Sequence, residues 1–378
     1  MDRRHFLKST GAAAFLAGYP VHGFTKDLPP GNIALIILEG GMDGLTAVPP
    51  IGDPMLSVQR KGLIASKPLE INPFFALHPS LQNIGSMLSN NEAAIIHASA
   101  FPYTLRSHFE GQNIIQSGSL VPFSTSTGWL GRAMDQVGIA GRAMALDTPL
   151  VIRGATEIDS FYPANIGGST VPNAEILELL SASHGVEVGS TFAKLLENTL
   201  STEKLPRLRD PEGLAFAAGK AMRAPDGPKV AVIRIPEFDT HANQGTDVGR
   251  HPSLLGLVDR VFANLKRGLR SEWKNTIVLT VTEFGRTVQE NGSLGTDHGY
   301  GSVGLLAGGL IKKSKVLARW PGLGNSELFE GRDLYSTLDY RSVCAACIEA
   351  GFGIDHDIIS ERVFFEPKLA RTYDFIFG

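Results

Sequence analysis

The strongest constraint on the fold of this chain is a set of short apolar runs, each followed at once by a polar loop. The clearest run spans residues 276–281 and leads into Thr282-Glu283-Phe284-Gly285-Arg286. Residues 32–38, 92–98 and 229–235 repeat the pattern. Runs of this length that are apolar at most positions are typical of strands that are buried on both faces of a parallel sheet. Functional groups gather at the carboxyl ends of such strands, so these loops are candidate sites.

Helical segments alternate with these runs. The pattern predicts helices over 252–269 and 340–351, and a further strand over 304–309. This β-α alternation predicts an α/β fold with a doubly wound, mostly parallel sheet that is flanked by helices.

Residues 118–227 are more mixed. They contain a weak strand at 150–152 and helices near 174–181 and 191–199. We therefore expect one α/β domain over 24–378, with an insertion or cap around 118–227.

Length and charge narrow the class of protein. The 378 residues are enough to bury a large core. A formal net charge of −3 and a pI near 6.4 give no basic footprint for nucleic acid. No segment has the length and apolarity of a transmembrane span.

Cys344 and Cys347 form a CxxC pair, either a redox motif or one buried face of a helix. The second interpretation is favoured because no βαβ start precedes the pair.

The first residues are typical of a targeting segment rather than of a folded domain. Arg3-Arg4-His5-Phe6-Leu7-Lys8 resembles the twin-arginine export signal and precedes a mild apolar stretch, with cleavage expected near residue 23. The alternatives are a basic amphipathic start and a retained N-terminal anchor. The signal predicts a periplasmic or otherwise exported protein with the twin-arginine translocon as a partner. Substrates of that pathway cross the membrane already folded, often with a cofactor or metal bound.

Three strand ends carry carboxylates and imidazoles. Such groups converging from different strands are what a divalent metal site requires, with Zn²⁺, Mn²⁺, Mg²⁺ or Ca²⁺ as the candidate ion. Each residue taken singly also suits a turn, a helix cap or a loop. The candidate ligands are Asp43, Asp239, His241, Glu283, Asp297 and His298.

Catalytic candidates lie beside these groups. Ser107 follows the second strand at a helix start and can attack an ester if a metal activates its hydroxyl, with Thr104 as the alternative. Ser107 equally suits a helix N-cap. Arg106 and Arg286 are candidates for clamping a tetrahedral anion.

Several motifs together resemble the DUF1501 family of exported bacterial proteins, which belongs to the alkaline phosphatase–sulfatase superfamily. They run in order from the first strand to just short of residue 300: Gly40-Gly41-Met42-Asp43-Gly44-Leu45, Arg106-Ser107-His108-Phe109-Glu110, Gly128-Trp129-Leu130-Gly131-Arg132, Phe238-Asp239-Thr240-His241-Ala242-Asn243-Gln244, Glu283-Phe284-Gly285-Arg286-Thr287 and Gly295-Thr296-Asp297-His298-Gly299.

The resemblance implies an alkaline phosphatase-like sheet whose strand ends hold one or two metals around a nucleophile. It puts Asp43 at the early aspartate, Ser107 at or near the nucleophile and His298 at the last histidine. Phe284 stands where a pairing imidazole is expected, which favours one metal over two. An alternative alignment makes Asp297-His298 the pair. Ser99-Ala100-Phe101-Pro102 is not the sulfatase signature, so formylglycine chemistry is disfavoured.

These observations predict an exported, metal-dependent hydrolase of phosphate or sulfate esters, acting on a small-molecule or polysaccharide ester. The alternative is a non-catalytic or degenerate metal-binding envelope protein that binds a polysaccharide or a protein partner. Ser107 separates the two, because only the hydrolase needs its hydroxyl.

Overall fold

The computed structural model describes residues 30–162 and 210–377. In this part of the chain a mixed, mostly parallel sheet of nine strands is flanked by helices, so the predicted α/β fold class is confirmed. The strands are β1 (Asn32–Leu38), β2 (Leu69–Glu70), β3 (Ala76–Leu77), β4 (Ala93–Ala100), β5 (Gly141–Ala143), β6 (Ile158–Ser160), β7 (Val230–Ile235), β8 (Thr276–Thr282), β9 (Ser302–Ala307), β10 (Val316–Leu317) and β11 (Leu338–Asp339).

The α-helices in the same residues lie between strands along the chain or after the last strand. They are α1 (Gly44–Ala47), α2 (Leu56–Gln59), α3 (Gln82–Ser89), α4 (His108–Ser117), α5 (Trp129–Val137), α6 (Pro211–Arg223), α7 (Arg250–Leu269), α8 (Tyr340–Phe352), α9 (His356–Ile358) and α10 (Tyr373–Ile376).

Strand β1 lies inside the sheet, whose order is β10-β4-β9-β8-β1-β7-β5-β6, with β11 beside β4 and a separate β2–β3 pair. It runs parallel to both neighbours, β7 and β8. The register places Leu38 opposite Ile235 on one side and Thr282 on the other. The carboxyl ends of three adjacent strands are therefore level, and the loops that follow them meet at one edge.

Strand β9 is reversed with respect to its neighbours. It pairs antiparallel with both β4 and β8. The apolar run predicted this strand but not its direction. Because β9 is reversed, its first residue lies at the edge where the parallel strands end, and the loop before Ser302 joins the same group of loops.

Two hydrophobic cores cover the faces of the sheet. Ile33, Leu35 and Ile37 of β1 belong to one core, while Ala34 and Ile36 belong to the other. Side chains alternate between faces along a strand, so a strand covered on both sides needs apolar residues at every position. All seven residues of β1 are buried, which explains the continuous run.

One predicted strand is wrong. Residues Leu150–Ile152 form a short 3₁₀ turn in which the amide of Arg153 donates to the carbonyl of Leu150. Pro149 precedes the turn and lacks the amide that a sheet ladder would use.

The predicted export signal and the helices near 174–181 and 191–199 lie outside the described residues, as does much of the region 118–227. Within the described residues, that region supplies β5 and β6 at one sheet edge. Among the helices of residues 30–162 and 210–377, none is long and apolar enough to cross a membrane. Cys344 and Cys347 are buried on α8, and burial raises the pKa of both thiols, which agrees with the buried-face interpretation.

Candidate metal centre

The three level strand ends deliver their residues to one place. The loop after β1 contains Gly40, whose amide donates to Glu283 Oε1 over 2.8 Å. Gly40 has a φ of +113°, and a Cβ there would lie 2.3 Å from the amide nitrogen of Asp239. Only glycine tolerates both the positive φ and this close approach. The turn after β1 is thus packed directly against the segment after β7.

A short backbone ladder brings the late loop to the same edge. The amide of Thr287 donates to Asp297, and the amide of Gly299 donates to Gly285. Arg286 and His298 form an isolated antiparallel bridge between these bonds. The ladder holds His298 beside the residues that follow β8, with its ring against that of Phe284.

Three histidines at this edge each use Nδ1 to hold an acceptor. Nδ1 of His108 lies 2.8 Å from Glu283 Oε1, and that of His241 lies 3.0 Å from Asp297 Oδ1. Nδ1 of His298 lies 2.9 Å from the carbonyl oxygen of Arg106. All three partners are acceptors, so a proton on each Nδ1 satisfies them, and a ring that carries only that proton presents a lone pair at Nε2.

The three Nε2 atoms converge on Asp239. Those of His241 and His298 lie 3.0 and 3.2 Å from its Oδ1, and that of His108 lies 3.4 Å from its Oδ2. The Nε2 atoms of His241 and His298 are themselves 3.0 Å apart. Two lone pairs at that distance repel each other unless a proton or a cation lies between them.

This arrangement has the form of a metal site. His108, Asp239 and His298 each offer a ligand atom within 4.8 Å of the others. Metal-binding histidines commonly donate their second ring N–H to a carboxylate or a carbonyl, which fixes the ring, and all three histidines do so here. The residues can therefore hold a cation with nitrogen and carboxylate ligands.

The pKa shifts follow from these contacts. The hydrogen bond to Glu283 raises the pKa of His108, although burial opposes it. Burial lowers the pKa of His298. Burial would raise the pKa of Asp239, but the hydrogen bond and charge of Arg286 outweigh it and lower that pKa. Asp239 ionised and His298 neutral are the forms that bind a metal, whereas His108 can hold a proton that a metal would displace.

The remaining predicted ligands lie outside the converging atoms. Asp297 stands behind His241, and the buried Glu283 stands behind His108. Asp43 caps α1 and forms a buried ion pair with Arg60. Burial alone would raise the pKa of Asp43, but Arg60, His251, Gln244 and Thr46 together lower it to about 2.

The predicted catalytic residues have different surroundings. Arg106 donates to Asp333 and Glu330, and its carbonyl orients His298. Arg286 is buried and donates to four backbone carbonyls and to Asp239. Ser107 is the N-cap residue of α4, but its side chain makes no capping hydrogen bond. Its hydroxyl is therefore not used to cap the helix.

His108 is not among the ligands predicted from the sequence. The residue was visible in the motif Arg106-Ser107-His108, directly beside the proposed nucleophile. Phe284, noted as the place of a missing imidazole, forms an apolar wall instead. Its ring centroid lies 4.7 Å from that of His298 and 5.0 Å from that of His108.

The described part of the chain thus defines a class: a mixed α/β fold with a histidine–carboxylate cluster at its strand ends. The family model described as "Protein of unknown function (DUF1501)" matches residues 209–361. These residues include Asp239, His241, Glu283 and His298. No curated protein matches the chain.

Solved structures with a similar fold are distant in sequence. The C-terminal periplasmic domain of EcEptC from Escherichia coli is 10% identical, with a TM-score of 0.43 over 93% of this chain and 90% of that one. A protein in the alkaline phosphatase superfamily from Vibrio parahaemolyticus is 11% identical, with a TM-score of 0.39 over 84% and 71%. Murine ectonucleotide pyrophosphatase/phosphodiesterase 5 is 10% identical, with a TM-score of 0.36 over 68% and 57%.

Proposed function

We propose that this protein is an exported, zinc-dependent hydrolase of phosphate or sulfate esters. The observation that carries the proposal is the convergence of three Nε2 atoms, from His108, His241 and His298, on the carboxylate of Asp239. Three nitrogen ligands and one oxygen suit Zn²⁺, whereas Mg²⁺ and Ca²⁺ prefer oxygen. The proposal has one ion, as the position of Phe284 also favours.

Other residues hold this set in place. Glu283 and Asp297 accept hydrogen bonds from the rings of His108 and His241. Arg286 donates to Asp239, so it orients the carboxylate and is a positioning residue. Bound zinc would supply positive charge where negative charge develops on the ester. The protein's own contribution is to fix the four ligands and the ester beside them.

We assign the nucleophile to Ser107. It immediately precedes His108, and its side chain makes no capping hydrogen bond. Its oxygen would form a bond to phosphorus or sulfur as the bond to the leaving alcohol breaks. The hydroxyl proton passes through solvent to that alcohol, and water then cleaves the serine ester.

Metal content and turnover test this proposal together. Zinc-loaded protein should contain one ion per chain by elemental analysis and hydrolyse at least one phosphate or sulfate ester. The variant H298A should lose both the ion and turnover, whereas S107A should keep the ion and lose more than about 100-fold in kcat. H356A is the matched control, because His356 lies on α9 and bonds Leu369 instead of a member of the cluster.

One outcome would favour the alternative function. If the ion binds but no ester is turned over, the protein is a non-catalytic envelope protein that uses the metal to bind a polysaccharide or a partner protein. If no ion binds to wild-type protein, the site assignment itself fails.

Export is proposed from the sequence alone. Arg3 and Arg4 stand in the twin-arginine pattern before an apolar stretch. Replacing both with Lys should hold the precursor in the cytoplasm, as fractionation and immunoblotting would reveal. Unchanged export of that variant would contradict the assignment.

A further inference from the structure

An open cleft of about 460 Å³ borders the candidate metal centre. Its lining includes Gly40, His108, Phe109, Gln112, Pro236 and Asp239. Because two of these residues belong to the proposed ligand set, an ester in the cleft would have its reacting group beside the ion. The chemistry of the lining therefore bears on which esters fit.

The arginine in this lining is already paired. Arg234 donates to Glu39 over 2.5 Å, and its Nη1 lies 3.3 Å from a carboxylate oxygen of Asp147. The exposed carboxylate of Glu237, also in the lining, lies 3.4 Å from Arg250. In the described residues the cleft thus presents these arginines together with acidic partners.

The arginines on the other side of the cluster are paired as well. Arg106 and Arg332 both donate to the buried carboxylate of Asp333, and Arg106 also donates to Glu330. Arg286 donates its hydrogen bonds to Asp239 and to backbone carbonyls. None of the arginines that contact the cluster or line the cleft in residues 30–162 and 210–377 lacks a carboxylate partner.

The cluster itself is near neutrality once a divalent ion is bound. The carboxylates of Asp239, Glu283 and Asp297 carry three negative charges, which Arg286 and the ion balance. An ester with one negative charge can use the attraction of the ion. A second negative charge would meet no further cation and would add repulsion from the carboxylates.

The lining also includes neutral polar side chains, and Gln112 is one of them. Nε2 of Gln112 is buried and has no hydrogen-bond partner in the described structure. An amide N–H can donate to an ester oxygen without adding charge.

Phe109 supplies an apolar contact beside the reacting position. It follows His108 on the first turn of α4, lines the cleft and is 85% exposed. An aromatic ring left this open on a folded protein can stack on an aromatic or alkyl group of a ligand.

We propose that the site takes singly charged esters that carry an aromatic or alkyl group, namely phosphodiesters or sulfate esters, in preference to doubly charged phosphomonoesters. This inference rests on the proposed function and narrows its substrate class.

A matched set of esters with one leaving group tests the preference. The substrates are p-nitrophenyl phosphate, methyl and phenyl p-nitrophenyl phosphate, and p-nitrophenyl sulfate, each given to zinc-loaded protein at pH 8. We expect kcat/KM, relative to the uncatalysed rate, to be higher for a diester or the sulfate than for the monoester. Activity on the diesters identifies a phosphodiester as the singly charged substrate, and activity on the sulfate identifies a sulfate ester.

A second test compares protein variants on the same esters, so that differences in the intrinsic reactivity of the esters cancel. Q112K should shift the ratio of monoester to diester kcat/KM toward the monoester by about fivefold to tenfold, since one added charge acts on a second anionic oxygen. Q112M has a side chain of similar size without the charge; it removes the amide donor for both esters alike, so kcat/KM can fall for each while their ratio stays unchanged. F109A should raise KM for the phenyl diester more than for the methyl diester, and F375A, an exposed phenylalanine on α10, should change neither.

The outcomes separate the two proposals. A preference for the monoester, or a ratio that Q112K does not move, overturns the charge argument while the hydrolase stands. Equal KM effects of F109A on both diesters overturn the role of Phe109. Metal binding without turnover of any of the esters overturns the proposed function and this inference with it.

Discussion

Arg286, whose side chain is fully buried, donates through Nη2 to Oδ1 of the partly exposed Asp239. The same guanidinium also donates to the carbonyls of Gly40 and Gly41 after β1, of Phe238 after β7, and of Thr296. One side chain thus ties two strand ends to the late loop and aims a proposed ligand. Its planar set of donors is what lets it reach several acceptors at once.

We expect R286K to destabilise the fold and weaken metal binding together. Lysine keeps the charge but cannot reach this set of acceptors, so buried carbonyls lose their donors at a cost of about 3 kcal/mol. Urea unfolding measures the loss. R142K is the control, because Arg142 pairs with the exposed Asp159 and should change stability by less than about 1 kcal/mol. Equal stability of R286K and wild type would contradict this role.

The residues behind the histidines should affect metal affinity without contacting the ion. D297N and E283Q remove the charged acceptors of His241 and His108 and should each weaken zinc binding about 10- to 100-fold. Competition with a chromophoric chelator measures the change. D135N, at an exposed carboxylate that accepts from Thr156, should leave affinity unchanged. Complete loss of binding in D297N would instead make Asp297 a direct ligand.

Backbone fit at the strand end can be tested with a glycine pair. G40A would place a Cβ 2.3 Å from the amide of Asp239 and should cost more than about 3 kcal/mol, with loss of zinc affinity. Gly138 has a φ of +63°, but its added Cβ would meet nothing within 4 Å. G138A should therefore cost only about 1 kcal/mol, with affinity kept. Thermal melts and zinc titrations of both variants check this difference.

Asp43 should make the fold sensitive to acid. Its pKa is about 2 in the folded protein, below the ordinary aspartate value of 3.8. Between those values the unfolded chain binds more protons, so the stabilisation is present above about pH 4 and is lost as pH falls toward 2. The shift corresponds to about 2 kcal/mol.

Unfolding of D43N across this pH range measures the effect. D43N should be less stable at neutral pH, because the buried Arg60 loses its partner, and its stability should depend less on pH between about 4 and 2. D159N, which changes an exposed carboxylate, should follow the wild-type pH profile. An unchanged slope in D43N would assign the acid sensitivity to other carboxylates.

The sheet was largely predictable because its strands are buried on both faces. The runs for β1, β7 and β8 are apolar at nearly every position, and the predicted ends differ from the observed ones by no more than a residue. The direction of β9 was not predictable, since an apolar run looks the same in either orientation. Residues 150–152 have strand-like side chains, but the proline before them permits a tight turn.

The sequence predicted which residues lie close together at the candidate site, but not how their side-chain atoms are arranged. Grouping residues by strand end brought together Asp239, His241 and His298. It could not separate a carboxylate that faces the histidine nitrogens from one that stands behind a ring, as Asp297 does. The pairing of Asp43 with Arg60 was also hidden, because it depends on the path of the chain between them.

The proposed ligands are residues 108, 239, 241 and 298, which lie at the start of α4 or on loops, next to strands that pair across long separations. Register alone sets Leu38 beside Thr282, a separation of 244 residues. Such non-local pairing is slow to form, and no short fragment of the chain contains all the ligands. Ion capture would therefore come late in folding and would report that the central strands are assembled. The rate of metal uptake by refolding protein would then measure the last stage of folding.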